Sequence, residues 1–305
     1  MARSKNKHAS MSDLLRTIGT EALDKGNYNI PMEGLFRSAI RASFVRAYQF
    51  AVYCHRVDPD KADEGAFFMA SSLRGTCEDL ITLKFIRQLK AKDRNEVISI
   101  EMRVAVNKAL VEQTKFFRKK RPFQLVLTAQ EEDEALVAAL RARLYEIGTT
   151  SGLWKTDKKL LPIEQMAIKL GMREMYDYFY RVTSDVVHFN PRISLRSGWG
   201  DDPKCGKFSM ENFAKYYAEF CQVYSVLLFT MLARAFAVDL SLSKPFRAGL
   251  SAIETALDEV LRWPEAVTFE EMNQRPPGFL MRLVAKVAHE KKSVRRKLHG
   301  EKPIT

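Results

Sequence analysis

The 305-residue sequence predicts an all-α fold, and two observations lead to it. Glycine (14) and proline (11) are both sparse, and few breakers over a long chain indicate long uninterrupted elements. Apolar residues recur at helical spacing, and no period-2 alternation is long enough to indicate a strand. We therefore expect a bundle of eight to ten helices that holds more than half of all residues, with at most a short hairpin in 191–208.

Breakers and caps set the expected helix limits. Gly26 stops the first helix, and Pro31 and Pro162 suit the first turn of two others, where proline is favoured. Pro191 lies beyond the end of another. The expected helices span about 11–25, 31–55, 62–90, 94–118, 130–147, 162–171, 172–189, 209–240, 246–262 and 268–298.

Composition divides the chain into three predicted parts. Residues 1–9 read as a flexible basic arm, 10–240 as the helical bundle core, and 241–305 as a C-terminal helical extension with a basic end. The first fifteen residues lack the apolar run of a secretory signal. The apolar stretch Val223–Ala233 is too short to span a bilayer and predicts a buried helix instead. We therefore expect a cytoplasmic protein with no membrane partner.

The cysteines agree with that compartment. None of them forms a CxxC pair, so free thiols in a reducing cytosol are expected. They are Cys54, Cys77, Cys205 and Cys221.

Charge suggests the class of partner. Lys plus Arg (49) exceeds Asp plus Glu (37), which gives a formal charge of +12. Such a surplus favours an anionic partner, with nucleic acid before a membrane surface, although it also serves solubility alone. The candidate nucleic-acid-binding residues form two clusters, Lys115, Arg118, Lys119, Lys120 and Arg121, and Lys291, Lys292, Arg295, Arg296 and Lys297.

The first motif is an Arg–Glu pair on an apolar helix face. Arg74 and Glu78 are four residues apart, with Phe67 and Phe85 above and below them on the same face. Two charges there are costly unless they are paired or line a polar cavity. The pair is therefore either a buried salt bridge that fixes the helix register or part of a pocket lining. A surface salt bridge is the third alternative, which the flanking aromatic residues disfavour. Glu78→Ala should lower stability markedly, and Asp79→Ala should not.

The second motif is a polar stripe ending in a histidine. Asp177, Arg181, Ser184 and His188 follow one another at spacings of 4, 3 and 4, opposite an apolar face. Histidine changes charge near neutral pH, so His188 suits proton transfer, and it is expected in the last turn of its helix. A solvated helix face is the alternative. We take Arg181, Ser184 and His188 as catalytic candidates, and Tyr180 and Asn190 as pocket residues beside Arg74 and Glu78.

Both motifs resemble a bacterial helical family of unknown function. Its members carry R-x3-E on one helix and, far downstream, Y-x(3–4)-S-x3-H followed by a short loop. The matching residues are Arg74 with Glu78, and Tyr180 with Ser184 and His188. Trp154 and the stretch LPIEQMAIKLGM are also similar. The resemblance covers roughly residues 35–235.

More loosely, the sequence resembles the HEPN superfamily of helical bundles, many of them metal-independent ribonucleases in defence and toxin systems. Their R-x(4–6)-H signature fits Arg181 and His188, whereas Val182 stands where those nucleases usually have a polar residue. The resemblance implies a metal-independent ribonuclease or toxin-like effector, as in phage defence. The alternative is a non-catalytic binding or sensor subunit that recognises nucleic acid, a nucleotide or a partner protein.

Other site motifs are missing from the sequence. It has no P-loop, GxGxxG or HExxH, and no Cys/His cluster with zinc spacing, so neither cofactor nor metal is expected. A helix-turn-helix within 162–180 is conceivable, but its second helix is too apolar for a groove reader. The expected partners are RNA, an antidote or other protein, and a second copy of the chain.

Overall fold

A computed structural model describes residues 10–25, 34–61, 64–128, 132–155, 159–188 and 208–268, with residues 190, 193 and 196–198. Ten α-helices and no strand occur in these ranges, and the helices cover more than half of the chain. The all-α class and the helix number are confirmed. The helices are α1 Met11–Thr17, α2 Gly19–Asp24, α3 Leu35–Cys54, α4 Gly65–Ile86, α5 Ala91–Lys120, α6 Glu132–Ser151, α7 Ile163–Lys169, α8 Arg173–Val187, α9 Ala214–Ala235 and α10 Lys244–Asp258.

Local chemistry explains where several helices begin. The Ser10 and Ser243 hydroxyls cap α1 and α10 by accepting the Asp13 and Phe246 amide hydrogens. Helix α3 begins at Leu35 because Gly34 precedes it at a φ of 102°, a conformation that glycine tolerates best. The expected single helix over 11–25 is two short helices that meet at Ile18.

The core lies where α9 packs against α3 and α4. Helix α4 buries twelve of its 22 residues, so apolar side chains surround most of it. Phe44 of α3 contacts Phe229 of α9 with ring centroids 5.6 Å apart. Helix α10 packs on α1 and α9 and adds Phe246, Leu250, Ile253 and Leu257 to the same core.

Helix α8 lies against α4 and α7 at the edge of this core. Its inner face buries Phe179 and Val182. Tyr178 fixes the helix further, because its hydroxyl lies 3.0 Å from that of Tyr224 and donates to the Pro264 carbonyl at 3.1 Å. The outer face of α8 is exposed.

Helices α5 and α6 pack against each other and form an arm, which we define as residues 91–151. Only Val97, Ile100 and Thr114 of the 30 residues in α5 are buried. The arm is anchored where Trp154, 2% exposed, packs against Phe85 of α4 with ring centroids 5.9 Å apart. Among the described residues, no helix has the length and apolar character needed to cross a membrane.

Candidate functional site

The Arg74–Glu78 pair forms as predicted, and most of each side chain is buried. Arg74 Nε donates to Glu78 Oε1 at 2.7 Å, and the two side chains are 26% and 24% exposed. This burial fits a buried salt bridge or a pocket lining better than a surface bridge. The remaining exposure arises because Tyr180, which covers Arg74, is itself 40% exposed.

The pair lies in the contact between α4 and α8, which we call the seam (Arg74, Glu78, Tyr176, Tyr180 and Ser184). The Arg74 guanidinium sits over the Tyr180 ring, 4.6 Å from its centroid, in a cation–π contact. The Glu78 hydrogen bond raises the pKa of Arg74, and burial followed by the Glu78 charge raises the pKa of Tyr176. The prediction that these two helices pack together is confirmed.

Ser184 is one turn beyond Tyr180 on α8. Its Oγ is buried and has no hydrogen-bond partner among the residues that the structure describes. A buried hydroxyl without a partner costs about 1–3 kcal/mol, so a water or a ligand atom at this point would be stabilised.

Arg181 and His188 are both exposed on the outer side of α8. The helix ends at Val187, and His188 has extended backbone (φ −117°, ψ 155°), with its amide donating to the Ser184 carbonyl at 3.0 Å. His188 is therefore the C-cap rather than part of the last turn, and the predicted helical spacing does not extend to it.

Asp185 explains this early end and was missed by sequence reasoning. Its buried carboxylate accepts a hydrogen bond from the side-chain amide of Asn190. This bond holds the chain after α8 close to the end of the helix. Asn190 also precedes Pro191, and the residue before a proline is disfavoured in helix. The sequence does contain a sign of this contact. Asp185 comes three positions after the apolar Val182, so on a helix it lies near the apolar face.

Asp79 is more than a solvated carboxylate. It accepts hydrogen bonds from the Ser43 hydroxyl at 2.8 Å and from Arg46, so it joins α4 to α3. Its replacement should therefore affect stability, contrary to the expectation from the sequence.

The three thiols that the structure describes are all buried. Cys54, Cys77 and Cys221 are free and buried, and burial raises the pKa of Cys77 to about 12, which disfavours the nucleophilic thiolate. Across the described residues, no group of three or more His, Cys, Asp and Glu side chains is placed to hold a metal ion. Cys205 lies outside those residues.

The first basic cluster is separate from the seam. Lys115, Arg118, Lys119, Lys120 and Arg121 are exposed at the C-terminal end of α5, whose packing partners are α3 and α6. Phe116, Phe123 and Leu125 accompany them and are 58%, 97% and 99% exposed. We call these eight residues the arm tip. The second cluster, residues 291–297, lies outside the described residues.

The fold and the seam define the class of protein. It is an all-α bundle in which Glu78 and Tyr180 hold Arg74 in place, next to the exposed residues Arg181 and His188. Residues 69–204 match the model of DUF5677, a family of unknown function. The predicted resemblance to a helical family of unknown function is thus confirmed, whereas the motifs and the HEPN resemblance stay predictions. The match includes the whole seam and the arm tip. No curated protein and no solved structure matches the chain.

Proposed function

We propose that the exposed edge of α8 binds RNA and cleaves it without a metal ion. The observation that carries the proposal is that Arg181 of α8 and His188, the C-cap of α8, are both exposed and lie in the chain on either side of Ser184. The contacts of the seam hold the helix in place. A guanidinium can grip phosphate through two donors, and an imidazole can move a proton near neutral pH. The half-exposed Tyr180 ring adds a face on which a base can stack.

In the proposed reaction the 2′-hydroxyl of RNA attacks the adjacent phosphorus. His188 takes the hydroxyl proton, Arg181 stabilises the charge that develops on the phosphate oxygens, and the bond from phosphorus to the 5′ oxygen breaks. The products are a 2′,3′-cyclic phosphate and a 5′-hydroxyl, whose proton comes from a second acid. Each chain places one such histidine, His188, at the end of α8, so a dimer that brings two copies of this helix end together would supply the second.

The chemical test is cleavage of a labelled RNA in the presence of a chelator. We expect a cyclic-phosphate product, which should disappear in Arg181→Ala and His188→Ala. Arg173→Ala removes a cation from the same helix, and His55→Gln removes a histidine elsewhere, so both should retain cleavage. All four variants should keep the circular dichroism spectrum of the wild type.

A non-catalytic binding subunit is the second candidate, and the position of His188 favours it. Because His188 lies beyond the helix in extended backbone, α8 does not fix its ring relative to Arg181. This alternative expects no cleavage and weaker RNA or partner binding in the same two variants. Intact RNA with the wild type, alone and with the products of neighbouring genes, would reject the ribonuclease and leave the binding role.

A toxin-like effector in phage defence is the biological role that we propose for such a ribonuclease. Effectors of this kind are usually encoded beside an antidote or a sensor, so the neighbouring genes test the role. Expression of the wild type alone should arrest growth, and His188→Ala should relieve the arrest at equal protein level.

A further inference from the structure

A cavity of about 510 Å³ lies away from the seam, between the end of α3, the middle of α9 and the end of α10. Its volume is in the range of small-molecule sites. The apolar part of its lining includes Val223 and Leu257, and its polar part includes His55, Glu219 and Glu259. None of these residues takes part in the proposed RNA chemistry.

His55 is held in one orientation and one tautomer. Its Nδ1 is 3.0 Å from the Ala51 carbonyl oxygen, and since that oxygen only accepts, Nδ1 must carry the hydrogen. In a neutral ring Nε2 is then the acceptor. Burial lowers the pKa of His55, which favours that neutral form.

The wall around His55 is also fixed. Gln222, another lining residue, donates to the Cys54 and Val57 carbonyls at 3.3 and 2.8 Å, which ties α9 to the end of α3. The acceptor on His55 is therefore presented by a packed junction of helices.

The charges of the lining favour a cation over an anion. Two of its three charged side chains, Glu219 and Glu259, are carboxylates, and the third, Arg262, forms an exposed ion pair with Glu265 at 3.2 Å. Lys215 is 3.9 Å from Glu219 but 61% exposed, so solvent screens that contact. The cavity thus combines carboxylates and a neutral imidazole acceptor with apolar surface, in a chain whose net charge is +12.

We propose that this cavity binds a small organic cation, with a protonated primary amine on an apolar body. The ammonium group donates to His55 Nε2 and to a carboxylate of Glu219 or Glu259. The apolar body covers Val223 and Leu257. An ammonium group carries three donors and no acceptor, which suits a lining that offers an imidazole nitrogen and carboxylates.

Three probes of matched size test this proposal on the full chain. We would measure binding of 2-phenylethylamine, 2-phenylethanol and phenylacetate by calorimetry, and locate it by NMR shift changes. The amine should bind at least tenfold more tightly than the alcohol, and phenylacetate should bind least. Glu259→Gln should weaken amine binding about tenfold, in line with the loss of one charge-assisted hydrogen bond.

Two further variants keep the test sharp. Ala256→Phe fills the cavity without changing its charge and should abolish amine binding, while Glu174→Gln removes an exposed carboxylate on α8 and should change nothing. Equal binding of the three probes, no amine binding, or amine binding that survives Ala256→Phe would overturn the proposal. RNA cleavage by α8 is measured independently, so either proposal can fail alone.

Discussion

Helices α9 and α5 show how differently two parts of this molecule use their residues. Helix α9 buries thirteen of 22 residues, whereas α5 buries three of 30. Burial of apolar area is the main source of folding free energy, so α9 should dominate stability. The arm contributes less to the core and exposes Phe123 and Leu125 almost completely. The seam is intermediate, since α8 has one buried and one exposed face.

The largest expected effect contrasts two phenylalanines. Phe229 of α9 is fully buried between Phe44 and Tyr48, so Phe229→Ala should lower the free energy of unfolding by about 3–5 kcal/mol. Phe123 of the arm tip is 97% exposed, so Phe123→Ala should change it by less than about 0.5 kcal/mol. Urea denaturation measures both. Similar losses would mean that the arm tip is covered in solution.

The seam should show an effect of intermediate size. Glu78→Ala leaves the mostly buried Arg74 without its ion-pair partner and should cost about 1.5–3 kcal/mol, the range for a hydrogen bond to a charged group. Tyr180→Leu removes the cation–π contact but keeps the bulk, and should cost less, about 0.5–1 kcal/mol. If both changes cost under about 0.5 kcal/mol, the seam does not hold α8 in place.

Two helix glycines should respond with opposite sign. A Cβ at Gly148 of α6 would lie 2.2 Å from the Trp154 ring, so Gly148→Ala should destabilise the protein by about 1–3 kcal/mol. A Cβ at Gly75, next to Arg74, meets no atom of the described structure within 4 Å. Gly75→Ala should therefore stabilise the protein by about 0.5–1 kcal/mol. Thermal unfolding would show the two shifts, and a loss at Gly75 would mean that this face of α4 is occupied.

The smallest effect on stability should come from the arm tip, where the readout is binding. Replacing its five basic residues by Gln should leave the free energy of unfolding within about 0.5 kcal/mol of the wild-type value. The readout is the slope of log affinity for single-stranded RNA against log salt concentration. This slope should become less steep by about 0.7 for each RNA phosphate that the variant no longer neutralises.

The control for the arm-tip variant replaces five exposed lysines elsewhere by Gln. This control variant should keep the salt dependence of the wild type. These are Lys92, Lys155, Lys159, Lys169 and Lys244. An equal change in both sets would assign the effect to net charge rather than to the arm tip.

Much of the fold follows from local patterns in the sequence. Helical periodicity identified α4, α8 and α9, because each has a clear apolar face or is apolar over most of its length. The positions of α2 and of the first turn of α3 are fixed in part by contacts with distant residues. The Ser243 amide and hydroxyl bind Glu21 of α2, and Asn95 of α5 accepts the Phe36 amide hydrogen at 2.9 Å.

The site was predictable only where one helix determines it. The spacing of Arg74 and Glu78 implied their bond, and the stripe on α8 implied exposed Arg181. The cation–π contact with Tyr180, the unpaired Ser184 hydroxyl and the Asp185–Asn190 bond need the tertiary structure. The prediction that His188 lies in the last turn of its helix is wrong, because α8 ends one residue earlier, at Val187.

The packing of α4 has a practical consequence for anyone who expresses part of this chain. The family match begins at residue 69, inside α4, and ends before α9. Yet α4 packs mainly against α9 and also against α3, both outside the matched segment. A fragment of residues 69–204 would leave Leu73, Leu80 and other buried side chains of α4 facing water, so we expect it to aggregate. An expression fragment should instead run at least from Ser10 to Thr268, so that α1 and the Pro264 carbonyl keep their contacts.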